Sequence, residues 1–297
     1  MFDLAFLLAP TFAIFFLGML LRKASILNRH AADALFKLVY YLTLPALLLS
    51  VLPYVVISRQ MFTLPLVSSL IIIVTASLAI VTGKALGMSK QSYAVLVTGS
   101  IIMNLGFIMP FVQSFYGDDG LARLFLFDIP NGLSTYIFAY SIAGRYGGIA
   151  EKPILRKLII SPPLLALLAG LFMNALSLRP DAISIAILHS ISKLTIPLIL
   201  LGLGASFTLA KINPVYLASG IALRMLLGLC LGMGLARVFN LEGLDRAIVV
   251  LSATAPAGFN TMTFASIENL DREFAATLVA ACMIVSLILI PLLLTIL

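Results

Sequence analysis

Apolar residues run in windows of about 20 along nearly the whole chain, the length a helix needs to cross a hydrocarbon core, and short polar or basic segments separate the windows. Ten spans are predicted, near 4–21, 33–53, 62–83, 91–117, 121–143, 154–175, 182–209, 214–238, 245–268 and 272–295. The fourth and ninth are interrupted. In the ninth, Ala253-Thr254-Ala255-Pro256-Ala257-Gly258-Phe259-Asn260-Thr261-Met262-Thr263 lies between two apolar half-helices. Pro256 removes a backbone donor and Gly258 lowers helix propensity, so the helix is predicted to break at mid-depth. Its counterpart, about 150 residues earlier, is Met103-Asn104-Leu105-Gly106-Phe107-Ile108-Met109-Pro110. Backbone freed inside a bilayer is tolerated only when buried in protein or lining a watery cavity. The breaks therefore mark a candidate binding site, and a pair of them in corresponding halves points to a secondary transporter.

The halves match. Shifted by 152 residues, Pro10 meets Pro162, Gly18 meets Gly170, Ser25 meets Ser177, and Leu42-Thr43-Leu44-Pro45 meets Leu194-Thr195-Ile196-Pro197. A shift of 153 brings Tyr93-Ala94-Val95-Leu96-Val97 over Arg246-Ala247-Ile248-Val249-Val250. Matched Pro, Gly and Thr-x-Pro punctuation at one offset predicts a duplication of five spans: 1–143 is the first repeat, 144–153 the linker, with Gly147-Gly148 and Glu151-Lys152-Pro153, and 154–297 the second repeat. An odd span count per repeat inverts the second copy, so the fold expected is all-α and integral to the membrane: ten transmembrane helices as two inverted five-helix repeats, with broken crossover helices 4 and 9.

Composition agrees, with 62% apolar residues and 10% charged ones; soluble domains carry roughly 25% charged. Trp is absent, leaving Tyr and Phe for an aromatic belt. Cys230 and Cys282 stand alone in apolar runs without metal-ligand spacing and read as packing residues. The net charge of +7 does not imply nucleic acid, because the basic residues sit in short loops between spans. Twelve, including Arg22, Lys23, Lys84, Lys90, Arg145 and Arg272, fall on one side, and five, Arg59, Arg123, Arg179, Arg237 and Arg246, on the other. The positive-inside rule puts the first set in the cytoplasm and both termini outside, in the cell's inner (plasma) membrane. The first span is preceded by Asp3 rather than a basic segment, so it is expected to be retained and not cleaved as a signal peptide.

On the Asn104-Leu105-Gly106 and Pro110 break, the Ala255-Pro256-Ala257-Gly258 break and the two Leu-Thr-x-Pro segments, the chain resembles the auxin efflux carrier family, the bacterial relatives of the plant PIN carriers. That family shares a ten-helix inverted-repeat fold with the bile acid:sodium symporters. The resemblance covers nearly the whole chain, with the plant carriers' long central loop reduced to about ten residues. It implies that spans 4 and 9 cross within a transport domain of spans 3–5 and 8–10, that spans 1, 2, 6 and 7 form a scaffold, that transport is elevator-like, and that the protein is a homodimer through the scaffold.

Asn104 and Asn260 flank the breaks in mirrored order, Asn104-x-Gly106 and Gly258-x-Asn260, and each amide offers two donors without bringing charge into the membrane. The half-helices that follow the breaks present N-terminal N–H groups, which favour an anion such as a carboxylate. These amides either bind substrate or satisfy the freed backbone. In the resembling family, asparagines near the crossing contact the substrate carboxylate, which singles out Asn104, Gly106, Pro256, Gly258 and Asn260 as substrate-binding positions. Thr254, Thr261 and Thr263 could add hydroxyls.

Three ionisable residues lie well inside spans: Asp128, Lys193 and Arg224. Each charge costs about 2.5–3.5 kcal/mol on insertion scales and calls for a partner. Asp128 and Arg224 would form a structural pair, or else Arg224 draws the substrate anion while Asp128 is its counter-charge or a proton site. Lys193 would face substrate from the scaffold side, snorkel or pair. His189 and Gln113 are weaker candidates, and Pro45 and Pro197 are expected to kink the scaffold helices. Gly228, Gly232 and Gly234 read as a packing face, and Asp118, Asp119, Glu268, Asp271 and Glu273 as solvated loop acids.

No cofactor or metal is expected. Neither break holds a carboxylate, so a sodium site would depend on carbonyls, amides and hydroxyls. The function expected is transport of a small organic anion, a malonate-like or auxin-like mono- or dicarboxylate, through a secondary active or uniport cycle in the lipid bilayer. The alternatives are a sodium-coupled bile-acid-like symporter and a non-transporting sensor of the same fold. The sequence lacks H-E-x-x-H, G-x-S-x-G and paired intramembrane aspartates, which argues against an enzyme.

Overall fold

A computed structural model describes residues 2–147 and 161–297, so most of the expected linker and the start of the sixth span lie outside the described residues. Those described are all-helical, apart from one isolated bridge. In chain order the helices are α1 (Phe2–Lys23), α2 (Arg29–Leu38), α3 (Leu44–Val51), α4 (Thr63–Ala85), α5 (Lys90–Ile101), α6 (Leu105–Ser134), α7 (Tyr140–Gly147), α8 (Pro162–Ala175), α9 (Ala182–Ser192), α10 (Thr195–Ala205), α11 (Pro214–Ile221), α12 (Leu227–Val238), α13 (Gly243–Ala253), α14 (Asn260–Ile267) and α15 (Arg272–Leu294). One-turn π-helices join α2 to α3 (Val39–Thr43), α6 to α7 (Thr135–Ala139) and α11 to α12 (Ala222–Leu226).

Helix ends follow local chemistry. Asn28, Ser89, Ser161, Asp181, Asn213 and Asp271 accept from first-turn N–H groups as N-caps. Left-handed residues end the helices that precede them: Ser25 after α1, Gly87 after α4, Ser177 after α8, Asn240 after α12 and Asn269 after α14. Pro45 follows the π-turn Val39–Thr43 and Pro197 follows a turn at Lys193–Leu194, so each missing donor falls where the regular helical ladder is already interrupted. Among the described residues, five continuous helical stretches are long and apolar enough to cross a bilayer: His30–Val51, Arg59–Ala85, Ala182–Ala205, Pro214–Val238 and Arg272–Leu294. The broken spans do not qualify, because interruption leaves α5 and α13 only 12 and 11 residues long. Large apolar side chains such as Ile73, Val81, Ile183 and Ile288 are exposed on these helices, as a lipid solvent permits.

Some boundaries differ from expectation. The first break sits at Ile102–Asn104, and Pro110 lies inside the resumed helix. A loop expected between spans 4 and 5 is instead a kink at left-handed Gly117 within α6. Glu268 is not solvated: it is 1% exposed and hydrogen-bonded by Tyr140, because the end of α14 carries it inward. Cys282 is buried as a packing residue should be, whereas Cys230 is exposed.

The described residues form two compact units. One comprises those of Met1–Ile57, Met109–Phe125 and Arg156–Phe207. Here α1 and α10 meet backbone to backbone: a Cβ on Gly18 would lie 2.5 Å from the Leu201 carbonyl oxygen, and one on Gly204 would lie 2.1 Å from that of Phe15. Small residues give such close approach where no hydrophobic force drives helices together in lipid. Asn174 joins α8 to the end of α3 by donating 2.7 Å bonds to both the Leu52 and Val55 carbonyls.

The other unit comprises those of Ser58–Ile108, Leu126–Leu155 and Thr208–Leu297. The core of this unit is α5, buried from Ser92 to Ile101, and α13, buried from Ala247 to Ala253. Gly83 of α4 makes room for Tyr93, and Gly99 and Gly220 make room for Leu278 of α15.

The α1–α10 contact yields a test. Gly204→Ala should cost about 1–3 kcal/mol of stability through forced separation, whereas Gly234→Ala, with open space around the added methyl, should cost nothing measurable. Equal unfolding midpoints for the two variants in detergent would contradict the close approach.

Candidate functional site

Both interruptions lie in the second unit and pair with each other. The Asn104 N–H donates to the Pro256 carbonyl and the Gly258 N–H to the Ile102 carbonyl, each at 2.9 Å. This closes an antiparallel bridge between Met103 and Ala257. Each break thus supplies an acceptor for a donor the other has freed. Pro256, which has no N–H to satisfy, contributes its carbonyl. Gly258 is the residue that allows the approach, since a Cβ there would lie 2.3 Å from Ile102 Cγ2.

In such a pair the bridged residues' own N–H and C=O groups point outward and need other partners. For Met103 these come from Asn131 of α6: the Met103 N–H donates to Oδ1 at 2.9 Å and Nδ2 donates to the Met103 carbonyl at 3.1 Å. The same Nδ2 reaches Asp128 Oδ1 at 2.7 Å. On the other side the Ala257 backbone is hydrogen-bonded to Cys282. Asn131 escaped the sequence reading, although its amide stands three residues after Asp128 on an apolar span, the spacing that puts both on one helix face.

Arg224 is fully buried on the π-turn between α11 and α12. Its Nη1 donates to the Ser100 carbonyl and its Nη2 to the Ala253 carbonyl, both at 2.8 Å. These carbonyls belong to the last turns of α5 and α13. Gly228, one helical turn on, lets Ala253 come close, because a Cβ there would stand 2.1 Å from that oxygen. Asp128 and Arg224 therefore have different partners and do not form the structural pair considered from sequence.

Asn104 caps α6: its Oδ1 accepts from the Phe107 N–H at 3.1 Å. The residue is 8% exposed and its Nδ2 has no protein partner. Nearby in sequence to the second break, the buried hydroxyls of Ser252 and Thr261 are likewise unpartnered. Gly106 is half-buried in the first turn of α6, and half-buried Asn260 opens α14. The N-termini of α6 and α14 both begin at the paired breaks and turn positive dipole ends toward them, although the Thr261 and Met262 N–H groups of α14 already donate to the Gly258 and Phe259 carbonyls. Thr254 is buried, and its hydroxyl is spent on the Val250 carbonyl.

Lys193, His189, Gln113, Thr43 and Thr195 lie in the first unit, whereas Thr263 lies in the second. Lys193 is exposed at the end of α9, with His189 exposed one turn before it. Gln113 donates to Asp118 at 3.4 Å. The two threonines of the Leu-Thr-x-Pro segments, Thr43 and Thr195, are both fully buried with unpartnered hydroxyls. Among the described residues, no group of three or more His, Cys, Asp or Glu side chains is placed to hold a metal ion.

Comparison with known proteins bears on what such a crossing is for. A family model described as membrane transport protein matches residues 4–294. An uncharacterized transporter of Methanothermobacter thermautotrophicus is 25% identical over 283 residues, covering 93% of this chain and 92% of its own. An uncharacterized transporter of Methanocaldococcus jannaschii is 24% identical over 267 residues, covering 85% of each chain. With apolar helices long enough to span a bilayer and a match over nearly its whole length, the chain belongs to the membrane transport protein family, that of the auxin efflux carriers.

Proposed function

We propose that the protein carries a small organic anion, a mono- or dicarboxylate, across the membrane, binding it where the two broken helices pair. The observation that carries this reading is the buried, unpartnered Nδ2 of Asn104 at a crossing where two helix N-termini begin. A buried donor without an acceptor costs roughly 1–3 kcal/mol, a cost a bound carboxylate would relieve. The Thr261 hydroxyl and the half-buried Asn260 add donors on the second break. Asp128, adjoining Asn131, is the proton or charge-coupling residue of this scheme.

The architecture proposed is ten spans in two inverted repeats. Supporting it, left-handed residues recur at the offsets that align the sequence halves: Ser25 with Ser177, Gly87 with Asn240, and Gly117 with Asn269. The breaks, and the turns before Pro45 and Pro197, correspond in the same way. The elevator reading makes the unit with the crossing the moving part and spans 1, 2, 6 and 7 the scaffold. Its support is the composition of the compact units, one of which gathers those four spans together with 109–125. The loop charge bias supports a plasma-membrane orientation with both termini outside.

Flux into proteoliposomes across a panel of mono- and dicarboxylates tests the site. Wild type should show saturable flux, and Asn104→Ala and Asn260→Ala should each reduce it at least tenfold while folding normally. Undiminished flux in both variants would remove the crossing from the transport path. A second test concerns the support of the site. Asn131→Ala strands the Met103 N–H and C=O, so it should cost about 2 kcal/mol or more and lower the unfolding midpoint, an effect that Asn131→Gln should not fully repair because of its extra methylene.

A further inference from the structure

We infer that Arg224 is a tethered cation, seated in a cation site formed by the C-terminal carbonyls of two half-helices. In an uninterrupted helix the Ser100 carbonyl would accept from the Asn104 N–H and the Ala253 carbonyl from the Ala257 N–H. The breaks divert both donors, the first to Pro256 and the second to Cys282. One carbonyl at the end of each first half-helix is thereby orphaned at membrane depth, where helix C-termini also carry partial negative charge. In transporters with broken helices, half-helix C-termini and unwound carbonyls are the groups that take up a coupling cation.

Here both oxygens are taken by one guanidinium, at 2.8 Å each. Arg224 is fully buried, and among the described residues no carboxylate pairs with it. Its positive charge is therefore met by carbonyl oxygens, as a bound metal cation's would be. Two local features serve this seat: the π-turn Ala222–Leu226 that carries Arg224, and Gly228, whose missing side chain admits the Ala253 carbonyl. A planar fork of donors suits two divergent carbonyls better than a single ammonium. The ligand class of the site is thus a monovalent cation, supplied within the chain. Arg224 is a positioning residue, holding the ends of α5 and α13 together behind the paired breaks.

The inference rests on the proposed transport reading only for its consequence on flux; its test is thermal unfolding of purified full-length protein and needs no substrate. Wild type should unfold at the same temperature with millimolar guanidinium, Na+ or choline at constant ionic strength. Arg224→Ala should unfold several degrees lower and regain part of the loss with guanidinium, and less with Na+, but not with choline. Arg224→Lys should fall between wild type and Arg224→Met, which keeps the stem and loses the charge. No specific recovery of Arg224→Ala with guanidinium, or equal stability of the Met and Lys variants, would overturn the tethered cation. So would a saturable rise in wild-type stability with Na+. If the alanine variant does not fold, the order of Lys and Met decides. Loss of flux in wild type with this stability pattern intact would count against the transport reading alone.

Discussion

Backbone polarity inside a hydrocarbon layer is the constraint on which the second unit depends. A helix satisfies its own N–H and C=O groups, and interrupting it strands several at a cost of several kcal/mol each. Pro256 and Gly258 interrupt one helix and Ile102–Asn104 another, yet the freed groups are met by four devices, one of them the hydrogen bond between the Ala257 backbone and Cys282. The breaks bond to each other, Asn131 holds both backbone groups of Met103, and Arg224 covers a carbonyl at the end of each first half-helix. Together these devices leave Asn104 with a donor to spare.

Irregular backbone satisfied in this way is rigid where it is bonded and open where it is not. At the helix C-termini Arg224 holds the Ser100 and Ala253 carbonyls, with its Nε and the Ser252 hydroxyl left unpartnered; at the N-termini of α6 and α14 the Asn104 amide and the Thr261 hydroxyl are unpartnered. The guanidinium at the helix C-termini is thus separated along the chain from the unpartnered donors at the helix N-termini. Glycines at 228 and 258 are needed for this arrangement, since each admits an approach that a methyl group would block.

Much of this was legible in the sequence. Punctuation by Pro256, Gly258, Asn104 and Asn260 marked both interruptions, because proline and glycine act through local backbone chemistry. The first break lies at Ile102–Asn104 and not at Pro110, which sits inside the resumed helix α6 although proline is a local signal for interruption. The partners of ionisable groups were not legible. Arg224 and Asp128 are far apart in sequence, and opposite charge suggested a pair, but backbone carbonyls orphaned by the breaks compete for a buried guanidinium and in sequence they are invisible. Glu268 read as a solvated loop acid because its burial depends on packing of the end of α14. Asn131 carried a visible signal, a lone amide on an apolar span beside Asp128, but nothing local said that its partner was Met103.

The claim that the two breaks satisfy one another can be measured through Met103 and Ala257, which face each other across the bridge without exchanging hydrogen bonds. Such pairs have Cα atoms about 4.5 Å apart, within the roughly 4.4–6.8 Å range that a disulfide spans. In a chain carrying Cys230→Ser and Cys282→Ser, the double substitution Met103→Cys and Ala257→Cys should form a disulfide on mild oxidation, recovered as one linked peptide by mass spectrometry. Two thiols that remain free to alkylate after unfolding of the oxidised protein would contradict the pairing on which the site depends.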